Sequence, residues 1–434
     1  MNPSSQKTPL GRRSFLHLAA AAASSAAGVS AAGAVGAACR PPLPREAGRT
    51  VATLWFSYGG KNREVLLDLV SRFNASQARV AIRATFQGDY FEALAKLRTA
   101  LAANVAPTFS HVVGEVIPYL ARAQVLEPLD SYERCDEFIP QLGQKGAFRD
   151  GHTHPTVAIP FNRSTPIMYA NANLLDTLPS TWDELRDTAR RLTRPSVGDP
   201  RWGFEVPISW WFWVAMLGQA GGTLIDTDGT PSLGADAGER ALRFWQTLVH
   251  TDRSMRPPAG RDYNAWQVTN QDFLAGRAAV IWTSTAFLRY LEDTASFPVI
   301  AAPLPKDLRA SVPTGGTFFV ILRSAPPEEK EAAWTFLRWM CQPEQTISWA
   351  TRTGYLPVTQ AAVAQLRDSG YYDAHPNDRV AYEQLSAVEP WPWVPNLFRI
   401  QRDIVEPRLE DAVHRNLDAH AVMNSARAAA RRPV

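Results

Sequence analysis

Short apolar runs alternate with amphipathic segments in the first part of the chain. The runs 51–56, 80–86 and 107–113 have the length and the β-branched and aromatic content of buried strands. Between the first two runs, apolar residues at helical spacing over 65–73 predict a helix with one buried face. Strands and helices that alternate in this way are typical of a parallel sheet with helical crossovers. The pattern therefore predicts an α/β fold.

The alternation returns in the second half of the chain. Thr181 and Glu184 have the spacing of a capping box, which predicts the start of a helix. A chain of 434 residues is too long for one typical core and long enough for two lobes. Further apolar runs predict strands at 278–282, 297–303 and 318–322.

The stretch 159–171 departs from this pattern, because its ends are apolar and its middle is small and polar. Pro166 cannot donate to a strand ladder, so the stretch is unsuited to one continuous buried strand. It suits a chain that leaves one sheet, crosses a gap and enters a second sheet. Ser164 would then hold its hydroxyl between two lobes, where a ligand would lie. An ordinary loop serine is the alternative interpretation.

Composition narrows the classes of function. Hydrophobic residues make up 45% of the chain, which is ordinary for a soluble globular protein. The net charge is only +3, so the body lacks the basic field that nucleic acid requires. The chain contains 14 tryptophans, a high count that suits faces stacking on a ligand as well as a packed core.

The two ends of the chain differ from its body. A twin-arginine motif at 11–16 is followed by a weakly apolar Ala/Gly run, so we expect residues 1–38 to be an export signal. Cys39 is a candidate for lipid modification at the start of the mature chain, and simple cleavage before it is the alternative. The prolines that follow predict a stiff tether over 39–49, and 426–434 is expected to be a basic tail.

Motifs for catalysis are missing from the sequence. It has no Gly-x-Ser-x-Gly elbow, no His-Glu-x-x-His and no phosphate loop ending in Gly-Lys-Ser/Thr. His152 and His154 are the only close histidine pair and lie beside a hairpin turn signal, so no metal site is expected. Cys135 and Cys341, which would lie in different lobes, are expected not to form a disulfide. We therefore expect a protein that is not an enzyme and needs no cofactor.

Several segments resemble a known family. The blocks 160–166 and 353–359 are similar to the extracellular solute-binding proteins of ATP-driven importers, in the branch that binds glycerol 3-phosphate and glycerophosphodiesters. These two blocks are the more specific matches, and the resemblance extends over about 50–415. Weaker matches lie at 73–74, 87–90, 276–284, 315–316 and 402–405.

The resemblance implies a two-lobed periplasmic-binding-protein fold. Each lobe would be a mostly parallel sheet flanked by helices, and three hinge crossings would join the lobes. Such proteins close their lobes over one solute and carry out no chemistry. We expect lobe one to hold 50–160 and 285–318, and lobe two to hold 164–284 and 319–425.

The resemblance also implies a ligand site between the lobes. Two of its positions have competitors in the sequence, because Gly114 fills the ungapped acidic position and Arg399 competes for the late arginine. The register of the aromatic run at 209–213 is also open. The implied ligand contacts are Tyr90, Glu115, Ser164, Trp210, Trp213, Ser284, Gly316, Tyr355 and Arg402.

The chemistry of these residues suits a phosphorylated polyol. The hydroxyls of Ser164, Ser284 and Tyr355 are neutral donors, and the glycines at 315–316 let backbone N–H groups approach a phosphate closely. Arg402 would add one bidentate charged contact of roughly 1.5–3 kcal/mol. The acidic residue would accept glycerol hydroxyls, and the tryptophans would pack against glycerol carbons or a quaternary ammonium.

These observations lead to one hypothesis and two alternatives. The chain would be the exported component of an ABC importer that captures glycerol 3-phosphate or a glycerophosphodiester such as glycerophosphocholine, and delivers it to permease subunits in the inner membrane. An oligosaccharide-binding protein of the same fold is the first alternative, since aromatic faces and carboxylates also suit sugars. A periplasmic hydrolase is the second. We expect a monomer in the periplasm or on the outer face of the cytoplasmic membrane, without a nucleic-acid partner.

Overall fold

The computed structural model describes residues 40–135, 137–142, 155–196, 198, 200–260 and 262–432. The predicted export signal, Cys39 and the histidine pair at 152 and 154 lie outside these ranges.

Strands and helices alternate through the described residues. The strands are β1 (Thr50–Phe56), β2 (Val80–Phe86), β3 (Phe109–Val113), β4 (Ile159–Ser164), β5 (Pro166–Asn171), β6 (Trp202–Glu205), β7 (Ala278–Ser284), β8 (Val299–Ala302), β9 (Val312–Pro313), β10 (Gly315–Ile321) and β11 (Val388–Glu389). The α-helices are α1 (Gly60–Ser76), α2 (Tyr90–Ala102), α3 (Ile117–Arg122), α4 (Trp182–Leu192), α5 (Trp210–Gln219), α6 (Asp236–Gln246), α7 (Asp262–Leu274), α8 (Leu288–Thr294), α9 (Pro327–Met340), α10 (Pro343–Thr353), α11 (Gln360–Asp368), α12 (Tyr371–Ala374), α13 (Pro376–Glu383), α14 (Leu397–Arg399), α15 (Glu406–Arg415) and α16 (Ala419–Ala430). Short 3-10 segments lie at Gly114–Val116, Thr285–Phe287 and Gln384–Ala387, and π-helical segments at Thr247–Thr251 and Ile400–Val405.

The first sheet has the strand order β2-β1-β3-β10-β4. Strand β1 pairs in parallel with β2 and β3, whereas β10 pairs antiparallel with β3 and β4. Helix α1 buries the residues that the spacing over 65–73 predicts. Phe73 near its end packs edge-on against Phe336 of α9, with ring centres 5.1 Å apart. Helices α1 and α9 therefore share one apolar core with this sheet.

The second sheet has the order β6-β7-β5-β8. Strand β5 pairs antiparallel with β7 and β8, and β6 pairs in parallel with β7. The α/β prediction is confirmed, but the expectation of mostly parallel sheets is wrong, since both sheets are mixed. The reason is that the strands next to the passages between the sheets run antiparallel to their neighbours.

The chain passes from the first sheet to the second within the stretch 159–171, as predicted. Strand β4 belongs to the first sheet and β5 to the second, and only Thr165 separates them. A second passage leads from β8 back to β10. A third follows α10, because Tyr355 lies in the core of the first sheet and Val358 in a core of the second.

Sheet membership differs from the predicted division of the lobes in two places. Strand β8 lies in the segment 285–318 but pairs with β5 of the second sheet. Helices α9 and α10 lie in 319–425 but pack in the core of the first sheet, and strand β10 of the first sheet begins in 285–318 and ends in 319–425. The difference has a physical reason: the partner of a short apolar strand is set by contacts far along the chain, which its own sequence does not show.

The predicted tether and basic tail are folded onto the body. Arg40 is 8% exposed and forms an ion pair with Glu329, which is 1% exposed. The Glu329 carboxylate also accepts hydrogen bonds from the Thr108 hydroxyl at 2.7 Å and the Leu43 N–H at 2.8 Å. At the other end, α16 buries residues such as Ala426. Both segments are therefore structural parts of the fold.

The structure also bears on a possible disulfide and on membrane-spanning helices. No disulfide joins Cys135 to Cys341, but the expectation that they lie in different lobes is wrong, since both pack in the core of the first sheet. In the described ranges, no helix is both long enough and apolar enough to span a membrane.

Candidate ligand-binding site

A cavity of about 220 Å³ lies where the ends of the two sheets meet. The first sheet contributes residues at the ends of β3 and β4, residues that follow β1, and the start of β10; the second sheet contributes the end of β7. Ligands commonly bind at the carboxyl ends of strands in α/β folds. Among the described residues that line the cavity, none is a lysine, an arginine or a histidine.

The structure brings most of the predicted contacts together and leaves three outside. The cavity wall includes Tyr90, Glu115, Ser164, Ser284, Gly316 and Tyr355. Trp210, Trp213 and Arg402 are not part of that wall.

One part of the cavity, which we call the donor end, is formed by Ser164, Ser284, Gly316 and Tyr355. Ser164 closes β4 and is 3% exposed, and Ser284 closes β7 and is 6% exposed. The Ser284 hydroxyl oxygen accepts the N–H of Ala286 at 3.1 Å, which leaves its own proton to donate. The two serines come from different sheets, so a ligand between them would contact both.

Position 316 must be a glycine, because the main chain of a neighbouring strand lies close to its Cα. Its φ is +79°, in the left-handed region that favours glycine. A Cβ at this position would lie 1.6 Å from the main-chain oxygen of Asn162. The side chain of Asn162 holds the neighbouring strand, since its Oδ1 accepts the Thr317 N–H at 2.9 Å. The sequence requires glycine here to bring two strands together beside the cavity.

Two predicted tyrosines meet at the cavity. The hydroxyl oxygens of Tyr90 and Tyr355 lie 3.5 Å apart, and Asn162 Nδ2 donates to Tyr90 at 3.3 Å. Tyr355 follows Gly354, whose φ of +97° ends α10. Its ring stacks on Trp349 with centres 5.4 Å apart and an angle of 18°. The helix end and this stacking orient the Tyr355 hydroxyl.

Tyr58 lines the cavity although sequence reasoning missed it. It follows β1 and is 6% exposed, and its hydroxyl has no hydrogen-bond partner among the described residues. Burial raises the pKa of the Tyr58 hydroxyl well above its usual value, so it stays protonated. Its ring stacks on His111 at 5.2 Å, and burial lowers the pKa of that imidazole to about 3. The signal in the sequence was its position at the carboxyl end of a predicted strand.

Three glutamates form an acidic wall of the cavity: Glu115, Glu406 and Glu410. Burial raises the pKa of Glu115 to about 7, against the opposing effect of the nearby Arg163 guanidinium. Arg163 is itself 1% exposed, and its Nη2 donates to the Thr314 hydroxyl at 2.6 Å. Glu115 is therefore close to half protonated at neutral pH. The competing Gly114 is buried within the same 3-10 turn and has no side chain to offer.

The structure places the implied contacts Trp210 and Trp213 in the core and not in the cavity wall. Trp210 stacks on Trp391 with ring centres 6.1 Å apart and an angle of 8°, and Trp213 donates its Nε1–H to a main-chain oxygen. Both are completely buried. Residues three apart share one helix face, and in α5 that face points into the core. Trp211 lies on the cavity side instead, 5.3 Å from the ring of Trp266, which also lines the cavity.

Arg402 lies beside the cavity and not in its wall. Its guanidinium lies over the ring of Phe91 and pairs with Glu406 at 2.6 Å, and both partners line the cavity. The competing Arg399 donates to the main-chain oxygen of Ala430 at 3.5 Å, so it is turned toward α16. Arg402 therefore contacts the cavity wall indirectly, by holding the wall residues Phe91 and Glu406 in place.

Comparisons with known proteins agree with this architecture. Residues 68–377 match the family described as bacterial extracellular solute-binding protein. The sn-glycerol-3-phosphate-binding periplasmic protein UgpB of Escherichia coli K12 is 23% identical over 372 residues, covering 80% of this chain and 83% of that protein. UgpB from Mycobacterium tuberculosis, solved in complex with glycerophosphocholine, is 23% identical with a TM-score of 0.72, covering 88% of this chain and 98% of that chain. The maltose-bound T. maritima MalE3 is 22% identical with a TM-score of 0.76, covering 87% and 98%.

The solved structures show that the fold is the two-lobed binding-protein fold predicted from the sequence. The family match extends over more than half of the chain and confirms the resemblance seen in the two specific sequence blocks. Its members are solute-binding components of ABC importers, which bind a small ligand, work with membrane permease subunits and are not enzymes. This chain belongs to the family of bacterial extracellular solute-binding proteins.

Proposed function

We propose that this protein captures glycerol 3-phosphate or a glycerophosphodiester such as glycerophosphocholine by closing its lobes, and delivers it to its permease. The observation that carries the proposal is the donor end, where uncharged hydroxyls from both sheets and the backbone at Gly316 converge. Neutral donors hold a phosphate without the strong charge pairing that would slow its release. Because the donors come from two sheets, a ligand that binds them all favours the closed arrangement.

The size of the cavity and its remaining walls support a small, partly polar ligand. Its volume of about 220 Å³ is below the roughly 300–1,000 Å³ of sites for drug-sized ligands. The glutamates of the acidic wall suit glycerol hydroxyls. The rings of Phe91, Trp211 and Trp266 suit glycerol carbons or a quaternary ammonium, to which a ring contributes roughly 0.5–2 kcal/mol. A zwitterionic diester has a group for each of these walls.

The relatives support the same choice. Curated relatives over 80% of the chain are named as glycerol-3-phosphate-binding proteins, and one solved relative contains glycerophosphocholine.

An oligosaccharide ligand is the second candidate. The neighbouring rings of Trp211 and Trp266 and the glutamates of the acidic wall are groups that sugars also use. The T. maritima relative is solved with maltose. Of the two candidate ligands, the glycerophospho-compounds contain a phosphate and the oligosaccharide does not.

Titration calorimetry with glycerol 3-phosphate, glycerophosphocholine and maltose tests the proposal. We expect binding of at least one phosphorylated compound and much weaker binding of maltose. Tight maltose binding without binding of either phosphorylated compound would overturn the proposal. Phosphorus NMR after prolonged incubation tests the hydrolase alternative, and we expect the glycerophosphocholine resonance to stay unchanged.

The export route, the modification of Cys39 and the oligomeric state are further parts of the proposal. We expect export by the twin-arginine route, with Cys39 carrying a lipid or lying next to a cleavage site. Replacing both arginines of the motif by lysine should leave the protein in the cytoplasm. Mass spectrometry of the exported protein distinguishes a lipid from a free N-terminus, and light scattering tests the expected monomer.

A further inference from the structure

Tyr58 lines the cavity and carries a hydroxyl that no described residue binds. Its side chain is 6% exposed, and its hydroxyl has no partner among the described residues. A buried hydroxyl without a partner costs about 1–3 kcal/mol, and at the wall of a cavity a ligand can supply the missing partner. The ring is fixed by His111 at 5.2 Å and Trp349 at 5.7 Å. Tyr355 stacks on the same Trp349, and both tyrosines line the cavity.

The N-cap residue of α1, Gly59, directly follows Tyr58. This helix has 17 residues, and its N-cap Gly59 and the first-turn residue Asn62 both line the cavity. Gly59 supplies no side-chain cap, and the first turn contains no acidic residue. The first N–H groups of a helix have no acceptor within the helix, and the positive end of its dipole favours an anion.

Two of the four carboxylates that line the cavity are engaged by other groups of the chain. Asp89 caps α2 by accepting two main-chain N–H groups, and Glu406 is paired with Arg402. Burial favours the protonated form of Glu115, which carries no negative charge. Asp89 and Glu406 therefore present less negative charge to an anionic group beside Tyr58 than free carboxylates would.

We propose that Tyr58 and the N-terminus of α1 form an oxyanion subsite that binds the phosphate of the ligand from the first lobe. This inference rests on the proposed function and names the groups that complete its donor end. It assigns to Tyr58 a direct hydrogen bond to a phosphate oxygen, and to the first turn of α1 the remaining neutral donors. The subsite requires no lysine or arginine, in agreement with the absence of such residues from the described cavity wall.

Two tyrosine variants test the hydrogen bond. Tyr58→Phe removes only the hydroxyl, and we expect it to weaken glycerophosphocholine binding about ten-fold to one hundred-fold in calorimetry. Tyr372→Phe is the matched control, because the Tyr372 hydroxyl is also buried without a partner but lies outside this cavity. The control should bind like the wild type. Equal affinities for Tyr58→Phe and the wild type would overturn the assignment.

A charge variant tests whether the subsite prefers an anion. Asn62→Asp places a carboxylate in the first turn of α1 with almost no change in shape. We expect Tm to stay the same or to rise, because a negative charge stabilises a helix N-terminus, while glycerophosphocholine affinity falls about ten-fold or more. A merely structural role of Asn62 would move both quantities in the same direction. Unchanged affinity in this variant would overturn the anion preference.

The same titrations separate failure of the subsite from failure of the proposed function. Binding of glycerol 3-phosphate and glycerophosphocholine by the wild type decides the function. If the wild type binds them and both variants bind equally well, only the subsite is wrong. If the wild type binds maltose alone, the phosphate function and its subsite both fall.

Discussion

The guanidinium carbon of Arg402 lies 3.7 Å from the centre of the Phe91 ring, although the two residues come from opposite halves of the chain. Phe91 is on α2, which follows a strand of the first sheet. Arg402 precedes α15, which is held to α6 by Gln246 Nε2 donating to the Ala412 oxygen at 3.1 Å. The contact therefore ties the two halves of the protein together beside the cavity.

This contact should slow ligand release. A cation–π pair of this kind contributes roughly 0.5–2 kcal/mol, so Phe91→Leu and Arg402→Gln should each raise the rate of glycerophosphocholine release up to about thirty-fold. The double variant should show a coupling energy of similar size in stopped-flow fluorescence. Additive effects of the two changes would argue against a shared contribution to closure.

Gly316→Ala should disturb the site more than its size suggests. The new Cβ would meet the Asn162 oxygen at 1.6 Å while φ is +79°, so both contact and conformation oppose it. We expect a loss of more than about 1 kcal/mol in unfolding free energy and a loss of ligand binding. Gly229→Ala is the control, since Gly229 has a φ of +84° and open space around its Cβ. A loss in the control as large as at Gly316 would show that conformation alone is responsible.

The register of α5 separates two neighbouring tryptophans. Trp211→Ala should lower ligand affinity about ten-fold with little change in Tm, because the ring lies in the cavity wall. Trp210→Ala should cost about 3–5 kcal/mol of unfolding free energy, because the ring is completely buried. Urea unfolding and calorimetry on both variants measure the two quantities. A loss of affinity in Trp210→Ala together with a loss of stability in Trp211→Ala would instead support Trp210 as the ligand contact.

Glu115 should make ligand binding depend on pH near neutrality. Burial raises its pKa to about 7, so the carboxyl is mainly protonated below that pH and ionised above it. Affinity for glycerophosphocholine should fall as pH rises from 6 to 8, up to about ten-fold per unit, because the ionised form repels the phosphate. Glu115→Gln should remove this dependence.

Glu205 is a control that separates the effect of a buried carboxyl on stability from its effect on ligand binding. Burial raises its pKa to about 7 as well, but it lies outside the cavity. A raised carboxyl pKa gives stability that is complete below the unfolded value of about 4.5 and is lost as pH rises through 7. Glu115→Gln and Glu205→Gln should therefore both flatten the fall in unfolding free energy between pH 5 and 8. Only the first should alter the pH dependence of binding.

The ion pair between Arg40 and Glu329 should contribute to stability more than surface pairs do. Removing one partner of a buried pair costs about 3–5 kcal/mol, so Glu329→Gln should lower the unfolding free energy by that amount. Glu46→Gln breaks the exposed pair with Arg83 and should cost less than about 1 kcal/mol. Urea unfolding measures both, and ligand affinity should be unchanged in each. Equal losses would show that burial does not decide the strength of these pairs.

Local patterns predicted the elements better than their arrangement. The spacing over 65–73 predicted the buried face of α1, and the polar centre of 159–171 predicted the passage between sheets, because both depend on residues close in sequence. The partner of β8 and the direction of the strands around it depend on distant contacts, which the sequence pattern does not contain. The lobe boundaries differed from the sheets for that reason.

The candidate site shows the same division. Ser164, Ser284 and Gly316 stand at strand ends that apolar runs mark in the sequence, and they line the cavity. The tryptophans stand inside a helix, where one residue of register decides between core and cavity. Tyr58 was missed because an aromatic residue after a strand is usually a core residue. Only the structure shows that its hydroxyl has no hydrogen-bond partner among the described residues.

The fixed position of Arg40 has a practical consequence. Its side chain bonds to the Ala106 oxygen and the Thr108 hydroxyl, which precede β3, whereas the cavity lies beyond the other end of that strand. A dye, tag or surface linker joined just before residue 40 would thus sit at the pole remote from the solute entrance. The protein can be mounted on a sensor through this end and still leave its binding mouth unobstructed.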